Sequence, residues 1–289
     1  MIELNDGTLS VKIKERGAEL SSVVLGGREY IWQGDEKIWS GQCPVLFPIC
    51  GKLRDGTYRY GGRTYSMELH GFAREKIFSV KQVSPQEAVF TICDDEQTRA
   101  QYPFSFVFSV TYTLQGGELK ITYSVYNRGN EPMWFNFGSH ESYRTEGQEG
   151  VWTLEWSERE DLVLRDLSPN GISDSHTLLR ENTKEVCIEQ SLFVQDSLVF
   201  DGLRSREVTL KCEGQPAVQI RFPRFDYLVL WKMPNAPYLS IEPWNGLPDR
   251  ENTSGELSEK YGIRCLGGGE LCAMTHFIRF FEFTPRSGK

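Results

Sequence analysis

The chain has 289 residues, is 39% hydrophobic and 25% charged, and carries a net charge of −8 at neutral pH. That balance is ordinary for a soluble globular protein, and it argues against a nucleic-acid or anionic-membrane partner, which needs a broad basic footprint. No apolar run reaches membrane-spanning length, and Met1-Ile-Glu-Leu-Asn-Asp6 lacks the basic and apolar regions of a signal peptide, so a cytoplasmic location is expected.

Taken in order, a first strand is predicted at Ser10–Lys14, followed by a turn at Gly26-Gly27. Glu36–Ser40 reads as a single helical turn. Next comes Phe47-Pro-Ile-Cys-Gly-Lys-Leu-Arg-Asp-Gly-Thr-Tyr58, leading to Met67-Glu-Leu-His-Gly-Phe-Ala-Arg74. Proline and glycines turn the backbone sharply here, between apolar anchors. Lys52, Arg54, His70 and Arg74 lie among those turns, and they read as one wall of a small-molecule site. A second short helix is expected at Asp94–Gln101, with acidic residues at its start.

The clearest periodicity follows. Phe104, Phe106, Phe108, Val110, Tyr112 and Leu114 alternate with mostly polar residues, and after Gln115–Glu118 the pattern resumes at Leu119, Ile121, Tyr123 and Val125. Period two on both sides of a Gly-Gly turn predicts a long antiparallel hairpin with one apolar face. Further short strands are expected at Val208–Lys211, Val218–Phe222, Tyr227–Trp231, Leu239–Glu242 and Phe277–Phe283. Many strands without alternating helices predict an all-β antiparallel sandwich or barrel with few short helices. Nothing marks a linker or repeat, so residues 1–289 are expected to form a single domain. The seven cysteines are scattered without C-x-x-C spacing, which predicts reduced thiols rather than a disulfide frame or a zinc site.

Polar residues that could carry chemistry sit at strand ends. His140 lies in Trp134-Phe-Asn-Phe-Gly-Ser-His-Glu-Ser-Tyr143, among Asn136, Ser139, Glu141 and Tyr143. With an ordinary pKa of about 6.5 it could give and take protons, or it could be a rim histidine satisfied by a carbonyl. Glu242 lies in the apolar strand Leu239-Ser-Ile-Glu242, where an unpaired carboxylate is costly, so it faces either a ligand or an arginine. Asp201 is a turn-former or a ligand to a polar substrate, His176 a solvated loop residue, and His276 a core residue on its strand. Asp249-Arg250-Glu251 reads as a solvated turn.

Taken together, these blocks resemble the aldose 1-epimerase (galactose mutarotase-like) superfamily, most closely its LacX-like branch. The resemblance runs through Trp32-Gln-Gly-Asp35, Pro44-Val-Leu-Phe-Pro-Ile49, Gly51-Lys52, His70-Gly-Phe-Ala-Arg74, Gly138-Ser-His140 and Ile241-Glu-Pro-Trp-Asn-Gly-Leu-Pro-Asp249, and closes with Lys260-Tyr-Gly-Ile. It implies a galactose mutarotase-type β-sandwich that interconverts the α and β anomers of a hexose. It implies Glu242 as general base, His140 as general acid, and His70 as the residue that holds the sugar and polarises its ring. Asp201 follows as a substrate-binding carboxylate. Where the classical members have Asn-Arg-Ile this chain has Gly51-Lys52-Leu53, so Lys52 would meet the sugar as a point charge rather than a planar fork.

Such chemistry requires no metal, nucleotide or other cofactor. A hexose 6-phosphate is the alternative substrate, with Arg74, Arg54 and Arg224 as the candidates for its phosphate. A metal-binding set of two histidines and a carboxylate, and a sugar-binding module without turnover, are further alternatives. The aromatic-rich hairpin could also bury a homodimer face.

Overall fold

The computed structural model describes residues 1–145 and 151–283. Its organising pair is the hairpin expected from period-two alternation, Phe106–Gln115 and Glu118–Asn127, in register through Leu114↔Leu119, Tyr112↔Ile121 and Val110↔Tyr123. Along the first strand, burial alternates residue by residue, because only Phe106, Phe108, Val110, Tyr112 and Leu114 point inward. Strand Leu271–Phe280 pairs with the hairpin's other edge, placing His276 opposite Ile121 on the same inner face.

Among the described residues these strands belong to a thirteen-stranded antiparallel sheet, and a separate four-stranded sheet is formed by the chain's start, Ile2 to Glu29. The architecture is an antiparallel β-sandwich with 54% strand and 7% helix, so its stability comes from cross-sheet packing rather than local turns. One buried apolar cluster runs from Leu4 to Phe280. Within it Phe47 stacks on Phe108, with ring centroids 4.3 Å apart and planes 8° from parallel. Removing a fully buried ring of this kind costs about 3–5 kcal/mol. Phe47 thus anchors the Pro/Gly-rich segment to the sandwich.

The second expected helix is present at Glu96–Gln101. Asp95 caps it by accepting from Thr98 N at 2.6 Å, while Thr98 Oγ1 accepts from Asp95 N at 2.8 Å. The first is not. Residues 35–39 form a tight hairpin, with Asp35 N donating to Trp39 O at 3.0 Å and Lys37 N to Asp35 Oδ1 at 2.8 Å. An aspartate that could cap a helix instead closes an Asx turn. Two strands of 17 residues, Trp152–Ser168 and Gly171–Cys187, were not expected at all. Among the described residues the second pairs with no strand but the first, apart from a bridge of Ile172 to Arg250, and it is largely exposed, so it shows no apolar alternation to read. His176 lies on that strand rather than in a loop.

Candidate functional site

Three segments converge at one end of the large sheet. Glu242 lies in Tyr238–Trp244, a strand in which every residue is buried, paired through Val229 on one side and Ser142–Ser240 on the other. His140 ends a segment stitched to that strand and to the Pro/Gly-rich stretch by bridges Leu46↔Gly138 and Gly138↔Trp244. Ser139 N donates to Pro243 O at 3.1 Å and Ile241 N to Glu141 O at 3.0 Å. The result is a buried His140 Nε2 only 3.5 Å from Glu242 Oε1.

His70 arrives by an unusual backbone path. Its own φ is +65° and that of Gly71 is +74°. A Cβ on residue 71 would lie 2.3 Å from the Phe47 carbonyl oxygen, so only glycine lets the two chains run this close. His70 N donates to Gly51 O at 2.8 Å, and Gly51 N donates back to His70 Nδ1 at 3.0 Å. With Nδ1 accepting, the neutral ring carries its proton on Nε2, which makes His70 a hydrogen-bond donor. Its ring centroid is 5.7 Å from that of His140 and 5.5 Å from Trp244.

Burial sets the charges here. Desolvation first, then the charge of Glu141, push the Glu242 carboxyl well above its ordinary range, while the nearby Trp244 N–H works the other way. Neither Glu242 oxygen, nor His140 Nδ1, has a hydrogen-bond partner among the described residues. Burial also lowers His140 from 6.5 to about 4, with Arg74 acting in the same sense and Glu141 against it. His70 is lowered well below 6.5 by burial, His140 and Arg74. The charge of Arg74 thus acts on both histidines, and its buried Nε lies 3.9 Å from Glu75 Oε1 without a hydrogen-bond partner among the described residues.

Aromatic rings surround this cluster. Trp244 donates from Nε1 to Ser139 O at 2.9 Å. Trp39 and Trp231 lie with ring centroids 5.3 and 5.5 Å from His140, and Trp32 and Tyr238 back them.

The other expected site residues stand apart. Asp201 follows strand Leu198–Phe200, whose Val199 pairs with Val229, itself the partner of Glu242. It is therefore about two strand steps, or roughly 10 Å, across the sheet. Arg165 donates to Asp201 Oδ2 from both Nε and Nη2, and His176 Nε2 is 3.3 Å from Oδ1. Lys52 is exposed, and its ammonium donates to Pro169 O at 2.7 Å. Of the arginines considered for a phosphate, Arg54 reaches Glu251 O at 3.5 Å and Arg224 reaches Ala273 O at 3.2 Å, and only Arg74 adjoins the histidines.

Several neighbours differ from the sequence reading. Glu141 alternates with His140 onto the opposite face, where its Oε1 is 3.4 Å from the buried His276 Nε2. Asn136 is engaged with Gly262 O at 2.9 Å. Asp249 is no solvated turn: it is 3% exposed, accepts from Arg54 N at 3.0 Å and pairs with the equally buried Lys260 at 3.4 Å, holding the loop after Glu242. Among the described residues no three His, Cys, Asp or Glu side chains come together as a metal-holding group. No helix there is long and apolar enough to cross a membrane.

The chain has relatives among known proteins. The aldose 1-epimerase family model matches residues 1–259. The chromosomal LacX protein of Lactococcus lactis is 33% identical over 275 residues, covering 90% of this chain and 92% of that protein. Human galactose mutarotase is 26% identical over 148 residues, covering 48% of this chain and 42% of its own. The crystal structure of a galactose mutarotase related enzyme from Lactobacillus acidophilus superposes with a TM-score of 0.93 at 28% identity, covering 100% of this chain and 99% of that one.

Proposed function

This chain belongs to the aldose 1-epimerase family, and we propose that it interconverts the α and β anomers of a hexose at the Glu242–His140 pair. The observation that carries this reading is the buried acid–imidazole contact of 3.5 Å, in which neither carboxylate oxygen has a hydrogen-bond partner among the described residues. A carboxylate that no arginine or backbone N–H satisfies is kept for a ligand.

Glu242 accepts the proton of the anomeric hydroxyl while His140 delivers one to the ring oxygen. The C1–O5 bond breaks, the aldehyde turns about C1–C2, and closure on the other face reverses both transfers. The pair carries one proton throughout, on His140 while the ring is closed and on Glu242 while it is open. Burial raises Glu242 and lowers His140, so it favours the second arrangement and drives the proton in the ring-opening sense. A hydroxyl donating to Glu242 restores part of the solvation that burial removed, which lets the carboxylate form when sugar is bound. His70 donates its Nε2–H to a sugar oxygen. Arg74 adds positive charge beside it, and Asp201, oriented by Arg165, is the carboxylate available to a hydroxyl farther along the same face.

The test is polarimetry on freshly dissolved α-D-glucose and α-D-galactose, with NMR exchange on glucose 6-phosphate. Acceleration over buffer on a free hexose is expected. Acceleration confined to the phosphate would assign Arg74 to the phosphoryl group. Sugar binding without exchange on any of the three would make the protein a binding module and overturn the enzymatic reading.

A further inference from the structure

Glu242, His140 and His70 are 1%, 7% and 8% exposed, so little of this cluster is open to a sugar in this arrangement. Trp244 is fixed by its bond to Ser139 O, and Trp231 lies in a paired strand in register with Ser240. Trp39 is placed differently. It rides on the short hairpin between Trp32 and Gln42, whose tip, Asp35 to Lys37, is exposed. The hairpin closes on itself through Asp35 N to Trp39 O and Lys37 N to Asp35 Oδ1, while Gln33 Nε2 donates to Ser21 O at 2.9 Å and the Trp39 ring rests 5.5 Å from that of Tyr238. Its carbonyl at Trp39 is tethered to the body by one Trp32 Nε1 bond of 3.0 Å.

From there the indole lies over His140, with centroids 5.3 Å apart and planes 30° from parallel, and edge-on to Trp231 at 5.1 Å. Gly41 makes the placement possible, because a Cβ there would fall 2.5 Å from the indole. The ring the indole lies over is polar and unsatisfied at Nδ1, and the Glu242 carboxyl beside that ring has no hydrogen-bond partner among the described residues for either oxygen. Sealing such groups beneath an aromatic ring for stability alone would be costly. With ring centroids 5.3 Å apart, there is no room for a pyranose between the indole and the His140 ring.

We propose that Trp39 is a substrate-binding residue carried on a lid: a hexose displaces the hairpin outward, and the indole then packs on the C–H face of the pyranose instead of on His140. A rigid, flat, largely apolar ring suits that face and loses little conformational freedom in meeting it. The inference rests on the hexose reading of this site.

Anomer exchange by NMR, sugar Kd by titration and thermal midpoints decide it, on wild type, Trp39→Ala, Trp39→Phe and Gly41→Ala. Trp39→Ala is expected to raise KM and Kd about 5- to 10-fold with kcat little changed, and Trp39→Phe to recover most of the loss. Gly41→Ala, which pushes the indole aside, should raise KM in the same direction. A lower midpoint for Trp39→Ala with KM and Kd at wild-type values would mean a structural ring and overturn the proposal. Should wild type exchange no sugar, Kd alone decides. Weaker binding by Trp39→Ala then upholds the lid while the enzymatic reading falls, and equal binding overturns the lid. Absence of any sugar binding by wild type overturns both.

Discussion

Two carboxylates sit on the same face of the large sheet, about two strand steps apart, and the protein treats them in opposite ways. Asp201 is held by Arg165 and His176, and the Arg165 guanidinium also lies over the ring of Tyr261, 5.4 Å from its centroid. Glu242 is more deeply buried and, among the described residues, its one ion-pair partner is His140, at 3.5 Å. A satisfied buried charge fixes structure, whereas an unsatisfied one stores free energy that a ligand can release. On the proposed reading the contrast separates a carboxylate left free to move protons from one already held in place by its partners, although both stand beside a histidine.

The largest effect should come from the unsatisfied member. Glu242→Gln keeps the shape and hydrogen-bonding reach of the side chain and loses its basicity, so turnover should fall about 10³-fold while sugar binding persists. Exchange kinetics with a parallel binding titration measure both. Turnover near wild type would remove Glu242 from the proton transfers.

The satisfied member should respond in stability instead. Arg165→Met leaves Asp201 buried with its main partner gone, a loss of about 3 kcal/mol or more. The urea midpoint should fall while kcat, measured where the variant is folded, stays within a few-fold of wild type. If kcat fell as far as in Glu242→Gln with the midpoint unmoved, the two carboxylates would have to be regarded as one catalytic unit.

A pH series sharpens the same comparison through His140. Its folded value, about 4, lies below the unfolded 6.5. Between those pH values the unfolded chain holds a proton that the folded protein does not, so this residue makes stability fall as pH drops through that window. The full loss is about 3 kcal/mol. Glu242 has the opposite slope, since its raised value makes the folded state lose stability as pH climbs above the ordinary carboxyl range. His140→Gln should therefore flatten the acid side of the stability profile. An unchanged acid slope in urea titrations from pH 7 to 4 would show that other groups carry it.

Local pattern carried the sandwich and the paired strands around Phe106–Asn127, because period two survives wherever one face is buried. It missed 152–187, where the outer strand is nearly all exposed and Ser157-Glu-Arg-Glu-Asp161 interrupts the inner one. Glu242 stood out as a carboxylate in an apolar strand, but its closeness to His140 depends on bridges between segments about 100 residues apart, which spacing cannot reveal. Asp249 was misread for the same reason: its partner Lys260 is apolar-flanked only in three dimensions. The hairpin carrying Trp39 failed more locally, since Asp35 suits a helix cap and an Asx turn equally, and only the packing against His140 chooses.

Lys52 should give the smallest response, and its position says why. The resemblance implies that it stands where classical members carry an arginine, yet its ammonium is exposed and donates to the Pro169 carbonyl, at the turn between the two long strands. That turn also leads to His176 and Arg165, so Lys52 reaches toward the Asp201 end of the face rather than toward Glu242. One exposed, charge-assisted bond to a carbonyl contributes on the order of 1 kcal/mol, and water replaces most of it when the side chain is cut back. Lys52→Ala is therefore expected to change KM about twofold or less and to leave kcat and the urea midpoint near wild type. A tenfold rise in KM for a free hexose would mean that the sugar draws the ammonium off Pro169 and spans both carboxylates at once, and the division between them would then be one of charge state rather than of place.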